Sequence, residues 1–263
     1  MNQRGLTIVS VVPNSAPVRV IIALDASGSM TSPVHSWGEN LDVAEEFLKR
    51  LPASSLAGLV VFADRTEIVV RLTLDRDAIH QQLEGIRARH KIAATALWDN
   101  LASTVALFGP AQPGDVIYLL SDGDDDASRS TLFTVQSDLW SRGIRLFMIS
   151  LGAEKKGNPP KMKYRQALVE QLVRDSGGSS LRVPEKPTKK SSDEEREAVT
   201  DLMGSALLSR QFKAISEFDI LRVELPQPMH ESMRWDLTVP QRGPADPPIL
   251  FPRVLPACPA APN

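Results

Sequence analysis

A chain of 263 residues, 42% of them hydrophobic and 24% charged, has the composition of a globular protein. Its length fits one large domain, or a domain with a short annex. A formal net charge of -2 gives no basic stripe for nucleic acid and no excess charge for an anionic membrane surface. The single cysteine, Cys258, excludes an intramolecular disulfide, and no apolar run is long enough to span a bilayer. The N-terminal stretch holds a short apolar patch, LTIVSVV, too interrupted by polar residues to read as a signal peptide; taken literally, the chain is not exported. Residues 1–16 are expected to form an extension.

Residues 18–25, VRVIIALD, form a nearly continuous Val/Ile/Leu run, which suits a parallel strand covered on both faces. A helix is expected over 40–51, then a second buried strand over 56–64, with 66–74 as its edge or hairpin partner. In ATALWDNLASTVALF, Trp98, Leu101, Ala102 and Val105 recur at helical spacing and make one apolar face. A third buried strand follows at 115–122. Leu132, Val135 and Leu139 mark another helix, which Gly143 closes. A strand over 144–152, a helix over 164–178 and a short strand over 181–187 complete the pattern. Strands alternating with helices predict an α/β fold: a doubly wound, mainly parallel sheet flanked by helices, over residues 17–187.

The charged stretch PEKPTKKSSDEERE reads as a linker. Ser192 and Glu195 have capping-box spacing for a helix lined by Val199, Leu202, Met203, Ala206 and Leu207. The alternating segments 217–226 and 233–240 suggest a β-hairpin, so 188–240 is expected to be an annex of linker, helix and hairpin. Residues 241–263 are proline-rich and read as a poorly ordered tail.

The first buried strand runs straight into Asp25, and Ser27 and Ser29 follow at alternate positions with Gly28 easing the turn. Ligands of parallel α/β sheets bind beyond the carboxyl ends of the strands. Three oxygens on one side of a tight loop suit a hard divalent cation, but they make an incomplete site. Asp122 stands at the end of another buried strand, and Thr95 stands just before a helix.

Taken in order, Asp25-Ala26-Ser27-Gly28-Ser29, Thr95 and Ser121-Asp122-Gly123 resemble the von Willebrand factor type A domain and its metal-ion-dependent adhesion site. The resemblance covers roughly residues 17–185, and it extends to the context TALWDNL and the strand AGLVVFAD. It implies that Asp25, Ser27, Ser29, Thr95 and Asp122 surround one Mg²⁺, with Mn²⁺ or Ca²⁺ as alternatives. It further implies that a partner protein's Asp or Glu carboxylate completes the shell. The order of elements over 193–240 resembles, more weakly, a group of bacterial proteins related to this domain, many of them exported, in which a strand pair follows the last helix. By analogy with the family, the helix after Asp193 is a candidate switching element.

The expected function is therefore metal-dependent protein binding, outside the cell or at its surface if a signal precedes this start. An intracellular adaptor for an ATPase or assembly complex is the alternative. A metal-dependent hydrolase ranks behind both, since the sequence lacks a G-x-S-x-G elbow, a P-loop and a dinucleotide fingerprint. Asp124, Asp125 and Asp126 read as a solvated loop before a helix N-terminus. Trp37, on the loop after Ser29, reads as packing with a rim contact as the alternative, and Trp98 and Trp140 read as packing residues. His35 reads as a surface histidine with a place in the rim as the alternative, and His80, His90 and His230 show no metal spacing.

Overall fold

The computed structural model describes residues 6–30, 37–88, 93–151, 160–183, 206–225, 229–239, 246 and 248–258. In chain order the strands are Thr7–Pro13 (β1), Arg19–Asp25 (β2), Leu56–Phe62 (β3), Thr66–Thr73 (β4), Val116–Ser121 (β5), Arg145–Leu151 (β6), Ser180–Val183 (β7), Asp219–Glu224 (β8), Met233–Arg234 (β9) and Val254–Leu255 (β10). The described helices are Trp37–Arg50 (α1), Arg76–Ile86 (α2), Leu97–Leu107 (α3), Leu132–Arg142 (α4), Pro160–Asp175 (α5) and Ala206–Ser216 (α6).

Six strands form the central sheet in the order β4-β3-β2-β5-β6-β7. All pairs are parallel except β4, which runs antiparallel to β3 at one edge. Side chains alternate along a strand, so β2 divides its residues between two cores. Val20, Ile22 and Leu24 pack with α1, α2 and α6; Ile21 and Ala23 pack with α3, α4 and α5. Every residue of β2 is buried because both faces are covered. The doubly wound architecture expected from the alternation is present.

The helix α2 was not expected. Its signals are local all the same: Asp75 accepts from the Ala78 N–H at 2.9 Å as an N-cap, and Ile79, Leu83 and Ile86 form its buried stripe.

The expected hairpin over 217–226 and 233–240 does not form. β8 pairs antiparallel with β1, and β9 pairs with β10. The segment between β8 and β9, LPQPMHES, holds two prolines and no glycine, so it lacks the chemistry of a tight hairpin turn. The expected N-terminal extension instead supplies β1. A register shift between Ile8 and Ser10 leaves Ile8 opposite Val223 and Val11 opposite Leu221.

The annex was expected to hold a helix lined by Val199, Leu202, Met203, Ala206 and Leu207; the described helix α6 lies further along, over 206–216, and belongs to the core. Leu208, Phe212 and Ile215 of α6 pack under the sheet, where Phe47 stacks on Tyr118 with ring centroids 4.0 Å apart. The Gln211 amide donates to Ser179 O at 2.9 Å and accepts from the Tyr118 hydroxyl at 3.3 Å. Arg145 donates to the carbonyls of Ala214 (2.7 Å) and Ile215 (3.0 Å), satisfying carbonyls left unpaired at the end of the helix ladder. The capping pair Ser192 and Glu195, and the stripe residues Val199, Leu202 and Met203, lie outside the described residues.

The tail is not loose over 248–258. Arg253 N donates to Asp175 O at 2.9 Å, Pro252 bridges Ser176, and the Trp235 and Phe251 rings meet edge to face at 5.2 Å. Arg234 pairs with the Asp175 carboxylate. Among the described residues no helix is long and apolar enough to cross a membrane.

Candidate metal centre

The chain leaves β2 for β3 on one side and later returns to β5 on the other, so β2 and β5 bracket the switch point of the sheet. Leu24 is paired with Leu120, which brings Asp25 and Ser121 to the same level at the strand ends. The loop after Asp25 begins with a turn made by Asp25 itself, whose Oδ1 accepts from the Ser27 N–H at 2.9 Å. Its Oδ2 accepts from the Ser121 hydroxyl at 2.6 Å. The hydroxyl oxygens of Ser27 and Ser29 lie 3.2 Å apart.

Three loops meet here, and backbone hydrogen bonds join them. Gly28 N donates to Ala93 O at 3.0 Å, tying the Asp25 loop to the Thr95 segment. Ala96 N donates to Ala63 O at 2.7 Å, fixing that segment to the end of β3. Asp126 N and Ala127 N both donate to Thr95 O at 3.0 Å, and the Asp126 carboxylate accepts from Thr95 N at 2.7 Å. Asp25 and Ser27 are fully buried, Thr95 and Asp122 are each 5% exposed, and Ser29 lies at the surface. The structure thus gathers the loops bearing all five expected residues at one end of the sheet, with Ser29 the most open.

The acidic loop is not merely solvated. Asp124 pairs with Arg165 of α5 at 2.7 Å. Asp125 Oδ1 accepts from Leu97 N at 2.8 Å and from the Ser128 hydroxyl at 2.5 Å. It caps α3, whose own N-cap residue is Ala96 and makes no side-chain cap. Asp126 clamps the Thr95 segment. Apart from the local Ser128–Asp125 bond, these contacts join residues about thirty or more positions apart, beyond the reach of a local pattern. Ser121 is a further contributor that the five-residue set passes over. The sequence signal for it was present in its position beside Asp122, at the end of a buried strand.

The electrostatics fit a cation. Burial pushes the Asp25 carboxyl up to about 7, the charge of Asp122 pushes in the same direction, and hydrogen bonds from Ser121 and Ser27 oppose both. Two buried carboxylates facing one another disfavour a second negative charge, and a divalent cation would relieve that cost. No group of three or more His, Cys, Asp or Glu side chains converges among the described residues. A cation here would therefore rely on two carboxylates and neutral hydroxyls, an all-oxygen set suited to Mg²⁺ or Ca²⁺ and unsuited to a soft metal.

The remaining candidates are structural. Trp37 is 3% exposed and its indole N–H donates to Ile86 O at 3.0 Å, so it packs and does not form a rim contact. Trp98 is buried, and Trp140 packs against the same core. His80 lies 3.4 Å from Glu45, and His230 is exposed; His35 and His90 lie outside the described residues.

The family profile described as "von Willebrand factor type A domain" matches residues 20–124, a span that contains all five positions. No curated protein matches the sequence. Among solved structures, BatB from Bacteroides thetaiotaomicron is similar at 18% identity and a TM-score of 0.52, covering 73% of this chain and 99% of that one. An aerotolerance-related membrane protein from Bacteroides fragilis is similar at 17% identity and 0.52, covering 74% and 98%. Proximal thread matrix protein 1 from the mussel byssus reaches 0.57 at 17% identity, covering 82% of this chain and 50% of that one. At such identities these likenesses speak for the fold. The profile match, the sheet topology and the strand-end loops agree: residues 20–124 match a von Willebrand factor type A domain, and the sheet around them has that fold.

Proposed function

We propose that the domain is a metal-dependent protein-binding module. In this reading Asp25, Ser27, Ser29, Thr95 and Asp122 hold one Mg²⁺, and a carboxylate from a partner protein completes its shell. One observation carries the reading: two buried aspartates stand at the sheet's switch point, among hydroxyl-bearing loops tied to one another by backbone hydrogen bonds. The bound ion would supply a Lewis-acidic docking point for an anionic group. The chain's own residues do the rest. Asp25 and Asp122 provide the negative charge, while Ser27, Ser29 and Thr95 provide neutral oxygens that leave the ion net positive. Ser29, as the most exposed of the five, marks the side from which a partner approaches.

Binding is favoured over catalysis. The hydroxyl oxygens of Ser27 and Ser29 lie 3.2 Å apart, and Asp25 accepts from the Ser27 N–H and the Ser121 hydroxyl, which holds its carboxylate as a fixed oxygen donor. The nearby carboxylates of Asp125 and Asp126 are committed to backbone N–H groups and a serine hydroxyl.

The test is a Mg²⁺ titration by calorimetry on the wild type and on Asp25→Ala, then a pull-down with and without chelator. Saturable binding lost in the variant, with a partner that chelator releases, is the expected result. A partner retained in chelator would sink the metal-bridged reading. Titrations with Mn²⁺ and Ca²⁺ rank the ions.

A further inference from the structure

The Asp122–Gly123 peptide is held on both sides. Its carbonyl accepts from the Gln166 amide of α5 at 2.9 Å. Its N–H donates to the Ser121 hydroxyl oxygen at 3.0 Å, and that hydroxyl donates to Asp25 Oδ2 at 2.6 Å. A continuous relay therefore runs from a helix side chain, through one peptide plane, to the buried carboxylate of the other loop. Polarisation along such a chain strengthens each bond, and the plane's orientation fixes the direction in which Asp122 leaves the backbone.

The local chain is built around this arrangement. Gly123 has φ of +78°, a conformation open to glycine, and a Cβ there would meet the Met148 methyl at 3.2 Å and Gln166 Cγ at 3.7 Å. Gln166 thus packs against the turn as well as bonding to it. Its neighbour Arg165 pairs with Asp124 at 2.7 Å, so α5 grips the loop at two successive side chains.

We infer that Gln166 is a positioning residue for the metal centre: through the Asp122–Gly123 peptide and Ser121, it sets the orientation of both aspartates and hence the affinity for the cation. This rests on the metal-binding reading above. Gln166 touches no expected ligand side chain in the relay and acts through the backbone. Partners that orient metal ligands typically alter affinity by about 10- to 100-fold when removed.

The experiment compares wild type, Gln166→Met, Ser121→Ala and the double variant. Methionine keeps the side chain's length and packing but cannot donate. Mg²⁺ affinity is read by calorimetry, exchange of the Gly123 amide by NMR, and the thermal midpoint in chelator. The expected result is Mg²⁺ binding weakened about tenfold in Gln166→Met, with faster Gly123 amide exchange and a metal-free midpoint close to wild type. The double variant should lose less than the product of the single losses, because both substitutions break one relay. Wild-type affinity and unchanged Gly123 exchange in Gln166→Met would overturn the inference alone. Multiplicative losses in the double variant would also overturn it, since the two residues would then act independently. If the wild type itself takes up no Mg²⁺, the metal-binding reading falls, and this inference with it.

Discussion

Asp25 and Asp126 show how single residues at this site differ in task. Asp25 is buried at a strand end and supplies charge, whereas Asp126 spends its carboxylate on the Thr95 backbone. Asp126→Ala should therefore weaken Mg²⁺ binding by about tenfold through a misplaced Thr95, against a near-complete loss in Asp25→Ala; calorimetry separates the two. Asp25 also predicts a pH effect in chelator-treated protein. Its carboxyl rises from 3.8 to about 7 through burial and the facing Asp122, against the hydrogen bonds of Ser121 and Ser27. Between those values the native state holds more protons than the unfolded state, so this group's contribution to stability falls as pH rises. Denaturant midpoints at pH 5 and pH 7.5 should differ less in Asp25→Asn than in wild type, and saturating Mg²⁺ should raise the midpoint most at the higher pH.

At the level of elements, the helix α6 has the most to say. It lies in the stretch expected to be an annex, yet Leu208, Phe212 and Ile215 complete the core against Phe47 and Tyr118. Arg145 closes its last turn and lies over the Phe218 ring at 4.2 Å. Arg145→Ala should destabilise the protein by about 3 kcal/mol, because it strips hydrogen bonds from buried helix carbonyls as well as the ring contact. Urea unfolding checks this, and a loss below 1 kcal/mol would mean the helix end is solvated by other means. Although the stripe read from the sequence ran from Val199 to Leu207 and did not include Leu208, Phe212 or Ile215, a helix with an apolar stripe was legible in this stretch. Its docking site was not, because a helical period states which face is apolar and leaves open what covers it.

Across the whole molecule, the described segments nearest the two ends are held in pairings with other parts of the fold. β1 pairs with β8, and residues 248–258 dock at the end of α5 through Asp175 and Ser176, with Leu250 against the core. Truncation before Pro248 should lower the thermal midpoint and speed amide exchange in the last turn of α5, leaving Mg²⁺ affinity within about twofold of wild type, since the metal loops lie at the opposite end of that helix. An unchanged midpoint would show that the segment adds nothing to the fold.

The sequence by itself determined the alternation of buried strands and amphipathic helices, and with it the doubly wound sheet. It also marked the strand ends carrying Asp25, Ser27, Ser29, Thr95 and Asp122, because burial period and strand-end polarity are written in neighbouring residues. Tertiary structure alone decided the rest: β1 on β8, β9 on β10, α6 in the core, the acidic loop as a clamp, and Gln166 behind the Asp122–Gly123 peptide. These pairings join residues from about twenty to more than two hundred positions apart. Which distant groups meet is settled by how the two cores close, and a local pattern carries no information about that.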